Sequence, residues 1–100
     1  MLRIFTTEAR NERQLVLEGK LIPPWTTEVR SACEKARENL EGRELVVILK
    51  NLTVISQQGE NLLAELMNEG VKFRGCGVFA KQLLRQIARG ARGQVWEAMS

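Results

Sequence analysis

The stretch at residues 45–59, LVVILKNLTVISQQG, constrains this chain more than any other. Five consecutive apolar residues, Leu45, Val46, Val47, Ile48 and Leu49, leave no polar face. That is the pattern of a strand covered on both sides, and so central in its sheet. Burying five aliphatic side chains contributes about 7–15 kcal/mol before entropy is subtracted, at about 1.5–3 kcal/mol each. The next part of the stretch is polar: Asn51, Thr53, Ser56, Gln57 and Gln58 lead to Gly59, and packing demands none of them. The pattern predicts a strand ending in a polar turn that opens a helix, with the unpaired backbone N–H groups of the first helical turn pointing outward. One reading of the turn is purely structural. Ser56 is then an N-cap accepting a hydrogen bond from the N–H of Gln58 or Gly59, and Glu60 complements the helix dipole.

Strand and helix alternate on either side of this stretch. Residues 2–6 and 14–18 are β-rich runs separated by the polar residues 8–13, which predicts one strand turning into a second. Trp25, Val29, Cys33, Ala36 and Leu40 then match the spacing of one helical face, with Pro24 at the first helical position and Gly42 as a left-handed C-cap. A second helix turns Leu62, Leu63, Leu66 and Met67 inward, shows Glu60, Asn61, Glu65 and Asn68 outward, and ends before Gly70. Residues 71–76 make another strand. A third helix comes next, its buried side formed by Val78, Phe79, Leu83, Leu84 and Ile87. Gly90 and Gly93 interrupt the helical pattern, so residues 88–100 stay open between an edge strand and a docked helical turn. The alternation argues a largely parallel sheet. In such a sheet the loops at residues 20–25, 51–59 and 75–79 emerge together at the carboxyl edge, where open α/β sheets bind their ligands.

One hundred residues suffice for a single small domain. The chain has no histidine, no tyrosine and no aspartate; all 12 acidic residues are glutamates. A His-dependent triad, a His-ligated metal site and a phosphoaspartate mechanism are excluded by composition, and activated Ser or Cys nucleophiles lack their usual base. The expectation is a non-enzyme without cofactor or metal. Cys33 and Cys76 have no metal-site spacing and read as packing residues. No apolar h-region or membrane-length apolar run is present, which reads as a cytoplasmic protein with no membrane span.

A strand of the type LVVIL, then NLTVIS, two residues and a glycine at a helix start, followed by LLAELMNEGVKFRGCG, resembles the STAS domain family of bacterial anti-sigma-factor antagonists and related modules. The resemblance spans residues 15–84. It implies an α/β STAS-like domain over residues 1–100, with four to five mostly parallel strands, an antiparallel N-terminal strand and three to four helices. In that family the turn usually reads Asp, Ser, Ser or Thr, then Gly, and the second hydroxyl residue is the phosphoacceptor for a partner kinase. Here Ser56 takes the aspartate position, Gln57 the next, and Gln58 the acceptor position ahead of Gly59. Glutamine has no hydroxyl to phosphorylate and no charge to imitate a phosphate. Thr53 and Ser56 keep hydroxyls nearby, but neither matches the acceptor.

The expected function is therefore a non-catalytic protein–protein interaction module in bacterial signalling. Its expected partner is an anti-sigma-factor, a kinase-like regulator or a transporter component. The expected surface comprises Asn51, Thr53, Ser56, Gln57, Gln58, Gly59 and Glu60, with Trp25 either an interface anchor or the first buried residue of its helix. The alternative is a small-ligand or anion site for a nucleotide or lipid head group at the same helix start, with Gly59 allowing close approach. Charge supplies a separate feature: residues 1–70 carry net −2 and residues 71–100 net +5. Lys81, Arg85, Arg89 and Arg92 fall on one stripe if the third helix continues. Such a stripe suits an acidic partner, anionic lipid or nucleic acid. The lack of interleaved aromatic residues argues against nucleic acid and for a solvated outer face.

Overall fold

A computed structural model of the chain describes residues 2–99, with side chains described for residues 2–89. Strand β1 (Leu2–Glu8) turns into β2 (Glu12–Leu21), and the two pair antiparallel from Leu2 opposite Gly19 to Glu8 opposite Arg13. Helix α1 (Trp25–Ala36), β3 (Glu44–Ile55), α2 (Gln57–Asn68), β4 (Lys72–Cys76) and α3 (Val78–Met99) then succeed one another in strict alternation. The four strands form one sheet in the order β1-β2-β3-β4, with β2, β3 and β4 parallel. The protein is thus α/β, with the antiparallel first strand that the STAS resemblance implies. No helix among the described residues is long and apolar enough to cross a membrane.

One face of the sheet holds the core. Val29, Cys33 and Ala36 of α1, Leu62, Leu63 and Leu66 of α2, and Ala80, Leu83 and Ile87 of α3 close over Leu15, Leu17 and Leu21 of β2 and over Leu45, Val47, Leu49 and Leu52 of β3. The other residues of the same strands point to the opposite face, because side chains alternate along a strand. There Val16, Val46 and Ile48 are also buried, with Phe5 packed against them, and every member of this second cluster comes from a strand. The central strand is therefore covered on both sides, as its unbroken apolar run predicts, but by helices on only one. On the other side long polar side chains lie across it. Arg74 of β4 spans β3 to donate two hydrogen bonds to Glu12 of β2, at 3.1 and 3.3 Å. Lys72 approaches Glu44 at 3.7 Å, and the Arg3 guanidinium sits 5.6 Å from the Phe5 ring centre.

Helix ends show what local pattern can and cannot foresee. The second helix ends as expected: the N–H groups of Gly70 and Val71 donate to Met67 and Leu66 carbonyls at 3.0 Å each, with Gly70 at a φ of 94°. This is a Schellman closure, and it needs a residue tolerant of positive φ. The end of α1 is different. Its helix stops at Ala36, so Leu40 lies beyond it and Gly42 is not its cap. Arg13 instead reaches up from β2 and donates to the carbonyls of Ala36 at 2.9 Å, Glu38 at 2.6 Å and Asn39 at 3.4 Å. The same guanidinium pairs with Glu8 at 2.6 Å, and Glu8 also pairs with Arg43. One cation thus satisfies orphan carbonyls from 23 residues away in sequence.

Other expectations are corrected. Pro24 precedes the first helical residue rather than occupying it. Val78 and Phe79 are 72% and 48% exposed, because Ala80, two residues into α3, takes the inward position and shifts the buried stripe. Cys33 is in the core, where burial pushes its thiol pKa up, but Cys76 is exposed at the end of β4 and is not a packing residue. In the open segment at residues 88–100, α3 continues through Gly90 and Gly93 to Met99, so residues 88–99 are neither strand nor separate turn, and Ser100 lies outside the described residues.

These interactions lead to two measurements. Replacing Arg13 with Ala leaves three carbonyls without their charged donor and is expected to lower unfolding free energy by about 2–3 kcal/mol in urea denaturation. Hydrogen bonds from Arg74, then from Gln14, hold the Glu12 carboxyl below the usual carboxylate range. A depressed carboxylate stabilises the fold above its unfolded pKa of about 4.3, and that stabilisation is lost as pH falls through the folded value. Arg74→Ala is expected to move the Glu12 titration upward in carboxyl NMR and to flatten the acid limb of the stability profile.

Candidate functional site

The site is built where β2 and β3 end together. Leu21 pairs with Ile55 at the carboxyl end of both strands. To reach that point β3 takes two residues more than β2, since Leu17 pairs with Leu49, Gly19 with Leu52 and Leu21 with Ile55. Asn51 absorbs part of the excess at a φ of 52°, and the Thr53 hydroxyl bridges the irregularity by donating to the Gly19 carbonyl at 3.2 Å. Asn51 and Thr53 are therefore strand residues and not part of the turn. The turn itself is one residue, Ser56, because helix α2 starts at Gln57.

Ser56 is tied on every side. Its N–H donates to the Leu21 carbonyl at 3.0 Å, and its own carbonyl accepts the Glu60 N–H at 3.0 Å. Its Oγ accepts the Gly59 N–H at 3.1 Å, the N-cap bond expected of it, and donates toward the Leu21 carbonyl at 3.5 Å. Gly59 is buried beneath it. A Cβ added there would lie 2.7 Å from the Leu21 carbonyl oxygen and 2.8 Å from Ile55 Cγ1. The open side of Gly59 thus faces the ends of β2 and β3, not solvent, which corrects the idea that it clears space for a ligand. Of the first-turn N–H groups, the one at Gly59 already has its partner, and Glu60 adds negative charge to the same turn. Both facts weigh against an anion.

The outward groups gather in a groove between α1 and α2. Gln58, Asn61, Leu62 and Glu65 form its α2 wall, and Thr26, Thr27 and Arg30 its α1 wall, around an open volume of about 280 Å³. Gln57 stands beside it and donates to Asn61 Oδ1 at 3.1 Å. Arg30 pairs with Glu65 at the groove's end and approaches Glu69 at 3.8 Å, and Arg37 pairs with Glu69 at 2.9 Å. This ladder of exposed ion pairs spans the two helices. Trp25 is half-buried at the start of α1 and packs against the core with part of its side chain. Among the described residues no three His, Cys, Asp or Glu side chains converge as a metal would need.

Two of the three expected loops meet here, and the third does not. Cys76, the last residue of β4, pairs with Lys50, five residues before the end of β3. At about 3.3 Å per residue the start of α3 lies roughly 15 Å short of the starts of α1 and α2. Lys81, Arg85 and Arg89 are exposed on α3, and among the described residues none has an acidic partner. The Arg92 side chain lies outside the described residues. The basic stripe is thus a separate surface. Sequence reasoning finds Ser56, Gln57, Gln58, Gly59 and Glu60 but misses Thr26, Thr27, Arg30, Asn61 and Glu65 as a facing set. Their helical spacings are present in the chain; which two helix faces meet is not.

No family model matches the chain, and no curated protein matches it. The STAS resemblance therefore rests on the order and spacing of the chain's own motifs and on the fold they form.

Gly59→Ala separates packing from ligand access. In an unobstructed helix the change gains up to about 1 kcal/mol. Here the added methyl collides with backbone, so thermal unfolding is expected to show a loss of about 1–3 kcal/mol instead. Ser56→Ala is expected to cost about 1 kcal/mol through the lost cap.

Proposed function

We infer that this chain is a non-catalytic interaction module of the STAS type, which docks another protein on the groove between α1 and α2 and lacks a phosphorylation switch. The observation that carries this reading is the division of labour at the turn. Ser56 and Gly59 face inward and are consumed in holding α2 to the ends of β2 and β3, whereas Gln58, at the family's acceptor position, is exposed on the groove wall. The groove offers hydroxyl and amide groups from Thr26, Thr27, Gln58 and Asn61 around Leu62. These neutral groups, with the Arg30–Glu65 pair at the groove's end, suit a protein surface. The Ser56 hydroxyl is engaged in capping α2, and the exposed Thr53 hydroxyl bonds the Gly19 carbonyl. A regulator that binds such a module meets the same surface at all times.

The partner classes that fit are an anti-sigma-factor or kinase-like regulator, or a component of a transport assembly, in the cytoplasm of a bacterium. The alternative function, an anion or nucleotide site at the start of α2, has less support because Gly59 N–H is occupied and Glu60 shares the turn.

Affinity capture with wild type, Gln58→Arg and Lys81→Glu beads tests the reading. Gln58→Arg changes only an exposed side chain, so its melting temperature is expected to stay within about 2–4 °C of wild type for a surface change of under about 0.5 kcal/mol. It is expected to lose a partner that wild type and Lys81→Glu both retain, by at least about tenfold in affinity, or about 1.4 kcal/mol. Retention of every specific partner by Gln58→Arg would show that the groove is not the interface. Amide shifts at Gln57–Glu60 on titration with nucleotides or anionic lipid would instead favour the alternative.

A further inference from the structure

The sheet has two edges, and they are built differently. Among the described residues neither β1 nor β4 has a neighbour on its outer side. Exposed strand edges invite pairing with other chains, and proteins blunt them with positive charge, shortness, bulges or proline. β4 is blunted: it has five residues and carries Lys72 and Arg74. β1 is not. It runs seven residues, LRIFTTE, pairs with β2 along its whole length without a register shift, and keeps its only charges near its ends, Arg3 and Glu8.

We propose that β1 is the dimerisation edge of this protein, pairing antiparallel with β1 of a second copy about a two-fold axis normal to the sheet. Two features select a second copy as the occupant. First, an antiparallel pair of identical strands is self-complementary, so one edge serves both partners and the interface closes on itself. Second, both faces beside the edge are unfinished in the same way.

On the face away from the helices, Phe5 is half-buried at the end of a row in which Val16 and Ile48 are its register partners. A two-fold axis normal to the sheet keeps each face on its own side. The register that pairs all seven residues then sets Phe5 opposite its copy, and the apolar row continues across the seam. On the helix face an open groove of about 360 Å³ runs beside β1, lined by Ile4, Thr6 and Leu15 of the sheet and Ala32 and Ala36 of α1 together with the charged Glu8, Arg13 and Lys35. The copy brings an identical half-groove against it. In this register Arg3 stands opposite Thr7 of the copy, twice per dimer, because the axis repeats every pair.

This proposal does not depend on the groove between α1 and α2. It is tested by sedimentation equilibrium on the full chain, from about 5 to 500 μM, within the micromolar-to-millimolar range of weak association. Wild type is expected to pass from its monomer mass of 11.3 kDa to twice that value within this range. Thr7 is exposed, so variants there leave the core untouched. Thr7→Glu places a carboxylate opposite Arg3 of the copy at two symmetric places and is expected to tighten the dimer by about tenfold. Thr7→Arg places like charges there and is expected to weaken it by a similar factor. Lys72→Glu on the other edge is expected to change nothing. A wild type that is monomeric throughout, or Thr7 variants with equal dissociation constants, would overturn the proposal. So would a Lys72→Glu effect as large as those at Thr7.

Discussion

The carbonyl of Leu21 is the point on which this molecule turns. It ends β2, accepts the N–H of Ser56 as β3 ends beside it, and lies where a side chain on Gly59 would have to go. Three elements from two distant parts of the chain are thereby brought within one hydrogen-bond length. The approach requires the absence of a Cβ at residue 59, and the cap requires a hydroxyl at residue 56. Those two residues fix the angle at which α2 leaves the sheet. That angle in turn sets Gln58, Asn61 and Glu65 against Thr26, Thr27 and Arg30 of α1. A close approach inside the protein is thus the cause of an outward-facing surface.

A similar economy covers the two faces of the sheet. Helices seal one face with aliphatic side chains. The other face has only a narrow apolar row, which the stems of Arg74 and its neighbours cover while their charged ends find Glu12 and Glu44. Long basic side chains bury methylene groups while keeping the charge in water, so they serve as a roof that needs no extra element. A four-stranded sheet with three helices can therefore bury the 45–49 run of its central strand on both faces within a chain of this length. The ion pairs are exposed and each contributes little by itself.

Much of this is legible in the sequence. The unbroken apolar run of Leu45–Leu49 identifies the central strand, the Leu62, Leu63, Leu66 spacing identifies the inner face of α2, and Gly70 marks its end. Each of these depends on residues near one another in the chain. The failures have the opposite character. Gly42 reads as the cap of α1 because no local pattern reveals that Arg13 reaches the carbonyls from another strand. Asn51 and Thr53 read as loop because polar residues break the apolar run, yet β3 continues through them on hydrogen bonds to β2. Gly59 stands out in the chain, but whether its bare side faces solvent or backbone is decided by where Leu21 lies. In α3, the small Ala80 takes the inward place over Phe79, since close packing against Gly75 leaves no room for a ring.

The early end of β4 shapes the molecule in a way that bears on how it can be used. Because β3 outruns β4 by five residues, α1 and α2 begin on a raised ledge and α3 begins on a lower step. The groove between α1 and α2, whose only charged lining is the Arg30–Glu65 pair, and the basic side of α3 therefore lie at different heights and differ in charge. Salt screens the charges on the lower step, unpaired among the described residues, more than the paired ones on the ledge.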